Sequence, residues 1–141
     1  MSIEDYQRAV GDLLRSPALC TEVRRAEANP EPGADPLGRY RLTARERSRL
    51  AAMSAHRGMV VNCTLYRASR LVGIARRLPA TMDALGPALR PAFDAYLAVQ
   101  PDAEPEFDRE ARQFADFLAA WPGLLPSARA TVAAEAGQLP A

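Results

Sequence analysis

The stretch MVVNCTLYRASRLVGIARRL, residues Met59–Leu78, decides how the rest of the chain is read. Its opening, MVVNCTLY, has the β-branched and aromatic content of a strand. The continuation argues against one. Val61, Leu65, Ala68, Val72 and Ala75 recur at alternating intervals of four and three, which is the period of an α-helix, and Val60, Leu71, Ile74 and Leu78 widen the stripe. A helix apolar over so wide an arc is expected at the centre of a bundle. No other run suggests a strand, so the fold class is all-α: a bundle of six to eight short helices in one domain over residues 1–141. Leu13, Leu65, Val72, Phe93, Phe114 and Leu118 are the expected shared core.

On the N-terminal side, Thr43 with Glu46 three residues later is a capping box that starts a helix running to about His56. Before it, NPEPGADPLGRYR (29–41) holds three prolines and two glycines, and nothing regular survives that density. Ile3, Tyr6, Val10, Leu13 and Leu14 mark a first helix to Arg15, with Ser2 as its N-cap. Ser16–Pro17 is an N-cap followed by proline at the first helical position of a second helix, ending near Ala28. On the C-terminal side Pro79 stops the central helix, and Gly86–Pro87 closes a short element, Thr81–Leu85. A helix carrying Phe93, Tyr96 and Leu97 breaks at Gln100. Another, Glu106–Trp121, presents Phe107, Ala111, Phe114, Leu118 and Trp121 on one face. Residues 127–136 can form a last helix, whose weak apolar face predicts a loosely held tail over 122–141.

Charge is unevenly placed. All 18 basic residues are arginine. Residues 39–90 hold eleven of them against only Glu46 and Asp83, an excess of nine, while residues 1–38 and 91–141 are net acidic. A basic middle between acidic ends suits an anionic partner, a second copy, or internal neutralisation. The candidate partner- or anion-binding residues are Arg45, Arg49, Tyr66, Arg67, Arg70, Arg76 and Arg77, since guanidinium forks match phosphate and carboxylate alike.

The residues of catalysis are missing from the pattern. One histidine, His56, and two isolated cysteines, Cys20 and Cys63, give neither a zinc ligand set nor a base held against a nucleophile. The eight glycines form no phosphate loop, and the carboxylates of 102–116 lack the frame of a calcium loop. No catalytic residue, metal ligand or cofactor is therefore expected. No stretch reaches the ~20 apolar residues of a membrane span, and the acidic opening MSIEDYQRAV is unlike a signal peptide, so a cytoplasmic location is expected. Direct DNA binding has charge in its favour, but the central helix is too apolar for a recognition helix.

The run YRASRLVGIARRLPATMDALG (Tyr66–Gly86) resembles a bacterial pattern in which a Tyr-Arg start leads into a helix. That helix ends in an aromatic-or-leucine/proline pair, here Leu78–Pro79, and a short helix then closes on Leu-Gly, here Leu85–Gly86. FDAYLAVQP (Phe93–Pro101) and FADFLAAWP (Phe114–Pro122) look like its continuation, and YQRAVGDLL (Tyr6–Leu14) like its opening. The pattern belongs to a family labelled as a DNA-binding domain. Its members are small helical partner subunits that accompany multinuclear-iron oxidases modifying ribosomally made peptides; the methanobactin oxidase partner looks related. Coverage is roughly Ile3–Arg25 and Arg57–Trp121. The resemblance implies a non-catalytic accessory subunit that binds and orders an enzyme encoded nearby, and with it a precursor peptide. The alternative is a transcriptional regulator that holds nucleic acid with its arginine-rich middle. Residues 29–56 exceed the pattern, and there are no strands for the peptide-recognition module that some such subunits carry.

Overall fold

The computed structural model describes residues 3–140, so the expected Ser2 cap lies outside the described residues. The described residues form eight α-helices and no strand. These are α1 (Ile3–Arg15), α2 (Pro17–Ala28), α3 (Ala44–Ala55), α4 (Arg57–Arg77), α5 (Pro79–Leu85), α6 (Leu89–Val99), α7 (Phe107–Ala120) and α8 (Pro126–Ala136). None is long and apolar enough to cross a membrane. The helices fall into two compact units, Met1–Arg67 and Ala68–Ala141, with the division inside α4.

In the first unit the start signals act as the sequence suggests. The Ser16 hydroxyl accepts from the Leu19 amide at 3.1 Å with Pro17 in the first turn of α2. At α3 the Thr43 hydroxyl accepts from the Glu46 amide, and the Glu46 carboxylate accepts from the Thr43 amide at 2.7 Å. The proline-rich connection is irregular yet anchored. Leu37 and Tyr40 are buried with Leu13, Leu19, Val23 and Leu50. The Tyr40 hydroxyl donates to Asp12 on α1, which also accepts from Arg15 at 2.7 Å and Arg39 at 3.0 Å. Burial alone would raise the Asp12 pKa; the Tyr40 and Arg15 hydrogen bonds and the nearby arginine charges win and hold it below the ordinary value.

The second unit packs Ile74, Leu78, Leu85, Phe93, Tyr96, Phe114 and Leu118 into one core, with Phe114 edge-on to both Phe93 and Tyr96. Its C-terminal segment is not a loose tail. Ala128 and Val132 of α8 are buried in that core. Glu135 accepts from the Ala80 amide at 2.9 Å and the Thr81 amide at 2.7 Å, capping α5, which has no capping side chain of its own. The weak amphipathicity of α8 misleads because small residues suffice for close packing, and because its main anchor is a long-range carboxylate cap.

The expected shared core is corrected in two ways. Leu13 belongs to the cluster of the first unit, whereas Phe93, Phe114 and Leu118 belong to that of the second. Leu65 and Val72 are in neither, at 61% and 49% exposed. Truncating Phe114 to alanine should cost about 3–5 kcal/mol in urea unfolding, and Glu135→Ala about 1–2 kcal/mol through the lost cap. A neutral Glu135→Ala would show that α8 does not hold α5.

Candidate functional site

The orientation of α4 sets the site. Its apolar stripe was expected to face a core, but Val60, Val61, Leu65 and Val72 are all about half exposed or more. The buried positions are instead Met59 and Cys63 in the first unit, and Arg70, Gly73 and Ile74 in the second. These too recur at helical spacing. The hydrophobic pattern did place Ile74 and Leu78 in its stripe, and both are fully buried, but it did not show the rest of this face because that contains an arginine and a glycine.

Arg70 is 4% exposed and sits among the acceptors of its own unit. Its Nε donates to Glu110 Oε1 of α7 at 2.7 Å, and Nη2 donates to the same oxygen at 2.5 Å. Nη1 donates to the Gln100 and Pro101 carbonyls, both at 3.0 Å, so one guanidinium fastens α4, α7 and the end of α6. Its carbon lies 5.5 Å from the centre of the Tyr96 ring. Burial pushes the Tyr96 hydroxyl up to about 12, with the negative charge of Glu110 adding to the effect. Arg70 therefore cannot be a surface contact for a partner or an anion. A buried arginine is tolerable only when paired and fully hydrogen-bonded, and Glu110 supplies the charge.

The other candidates separate. Arg76 and Arg77 do come together, lining an open groove of about 280 Å³ with Ser69, Val72, Gly73 and Phe107. Arg77 donates from Nε to Asp108, whereas Arg76 is exposed and forms no ion pair among the described residues. Gly73 permits this groove: a Cβ there would lie 2.7 Å from Phe107 Cδ1, so the ring rests directly on the helix backbone. Tyr66 and Arg67 are half-buried. Arg45 and Arg49 are exposed on α3, in the first unit. Val72, Gly73 and Phe107 are absent from the charge-based candidates; the one signal for them was Gly73, the single glycine between Met59 and Leu78.

The two thiols, far apart in sequence, converge in the first unit. Cys20 Sγ and Cys63 Sγ both donate to the Leu13 carbonyl, at 3.2 and 3.3 Å. Burial pushes Cys20 up to about 11, helped by the neighbouring Cys63, and burial also raises Cys63. Both are thus protonated and poorly nucleophilic at neutral pH. No group of three or more His, Cys, Asp or Glu among the described residues could hold a metal ion. Comparison of the chain with protein families, with characterised proteins and with solved structures finds no match.

The Arg70–Glu110 pair gives a direct test. Arg70→Met or Glu110→Gln alone should cost about 3–5 kcal/mol, because each strands the buried partner, and Arg70→Met with Glu110→Leu should recover much of that loss. Denaturant unfolding of the three variants measures it. Single variants within ~0.5 kcal/mol of the parent chain would return Arg70 to the surface.

Proposed function

We propose that this chain is a non-catalytic accessory subunit that docks another protein through α4. The observation that carries this reading is the set of exposed apolar side chains that α4 presents in the first unit: Val60, Val61 and Leu65. Single exposed apolar residues are ordinary, but a recurring set on one element is a feature of interaction surfaces. α4 also contains five arginines and no acidic residue. The pattern at Tyr66–Gly86 resembles the partner subunits of peptide-modifying multinuclear-iron oxidases, which supports an enzyme as the docked protein and a precursor peptide as its substrate. In such a pair the iron belongs to the enzyme, and this chain orders its partner and helps present the peptide.

The nucleic-acid alternative is less well supported by the geometry. Phosphate contacts need cations aimed at solvent; on the C-terminal part of α4, Arg70 is buried on Glu110 and Arg77 is engaged by Asp108, which leaves Arg76 there and Arg45 and Arg49 on α3 as the exposed candidates. The exposed residues of α4 ahead of Arg70 are evenly divided, with Val60, Val61, Leu65 and Ala68 aliphatic and Arg57, Asn62, Thr64 and Ser69 polar.

Co-expression with the enzyme encoded beside this chain, followed by size-exclusion chromatography, tests the reading. A stoichiometric complex is expected. Val61→Glu with Leu65→Glu should weaken it by about a hundredfold or more, the effect of losing a central apolar contact, without lowering the melting temperature. A complex indifferent to this variant would overturn the reading. So would retention of duplex DNA with the steep salt dependence of counterion release.

A further inference from the structure

The groove of the second unit specifies what kind of partner segment it can hold. Its floor is Gly73 and its apolar walls are Val72 and Phe107, 49% and 57% exposed. At about 280 Å³ it is at the small end of ligand pockets, and it is open to solvent and does not enclose its contents. A space of this size and lining suits one aliphatic or aromatic side chain entering from a neighbouring chain.

Its rim has one sign of charge to spare. Asp108, the carboxylate next to Phe107, is committed to Arg77. Arg76 is left exposed at the mouth with no ion pair among the described residues. A segment that inserts an apolar side chain here brings its flanking residues against Arg76, where a carboxylate gains a charge-assisted hydrogen bond and a lysine or arginine is repelled. A second copy presenting the same groove would set Arg76 against Arg76, which disfavours self-pairing through this face.

We propose that the groove formed by Ser69, Val72, Gly73, Arg76, Arg77 and Phe107 receives an acidic amphipathic segment of a partner protein, with a leucine- or phenylalanine-sized side chain between Val72 and Phe107 and a carboxylate on Arg76. This rests on the docking reading of α4 and names the partner's chemistry at the second unit.

Three fluorescein-labelled synthetic peptides test it by anisotropy at low salt: an amphipathic peptide with leucines at helical spacing and glutamates beside them, its lysine-for-glutamate counterpart, and its serine-for-leucine counterpart. The glutamate–leucine peptide should bind the parent chain best. Arg76→Glu should weaken it about tenfold or more and shift the preference to the lysine peptide, as reversal of a specificity charge does. Val72→Ser and Phe107→Ala should each weaken it without changing the melting temperature. The proposal is overturned if the lysine or serine peptide binds the parent chain equally well. It is also overturned if Arg76→Glu leaves the acidic peptide unaffected, or if no acidic peptide binds up to about 1 mM. A groove variant that changes only self-association in sedimentation assigns the face to a second copy and also overturns it. The two readings fail separately. If Val61→Glu with Leu65→Glu breaks the enzyme complex while the groove variants leave it intact, the docking reading stands and the groove assignment falls.

Discussion

A guanidinium taken out of water must be given a counter-charge and enough acceptors for its fork of donors, and Arg70 receives both. Glu110 takes two of its hydrogen bonds, and the Gln100 and Pro101 carbonyls take two more. That arrangement constrains the second unit. It turns the C-terminal part of α4 so that Arg70, Gly73 and Ile74 face inward, and it ties α7 and the chain leaving α6 to the same point. Once Arg70 points in, Val72 must point out, because residues two apart on a helix lie on nearly opposite sides. The exposure of Val72 thus follows from the buried ion pair.

Gly73 then does what a larger residue could not. With no Cβ, it lets the Phe107 ring lie against the helix backbone, and the groove opens beside that contact. Asp108, one residue further along, neutralises Arg77, whereas Arg76 at the mouth forms no ion pair among the described residues. Apolar walls and a single-signed rim are the ingredients of a surface that discriminates among partners, the walls supplying affinity and the rim supplying selection.

Much of the fold was legible because its signals are local. The Ser16–Pro17 start, the Thr43–Glu46 capping box and the break at Gln100 depend on residues within a turn of one another, and each lies where the sequence puts it. The direction in which α4 faces was not legible, because it depends on Glu110, forty positions away. A hydrophobic pattern counts Arg70 as solvent-exposed and Val72 as core, and the buried pair reverses both. The anchoring of α8 through Glu135 was hidden for the same reason: the cap joins residues more than fifty positions apart. Of the charge-based candidates, Arg76 and Arg77 do meet at one groove, while Arg70 is taken into the core. Arginine content alone could not separate those roles.

Whether α4 faces as described is the claim on which the docking surface depends. Hydroxyl-radical footprinting of the native chain, read residue by residue by mass spectrometry, measures that orientation directly. Val61, Leu65 and Val72 should oxidise readily, while Ile74 and Leu78, both fully buried, should be protected until the chain unfolds. Protection of Leu65 and Val72 in the native chain, with ready oxidation at Ile74, would contradict the account.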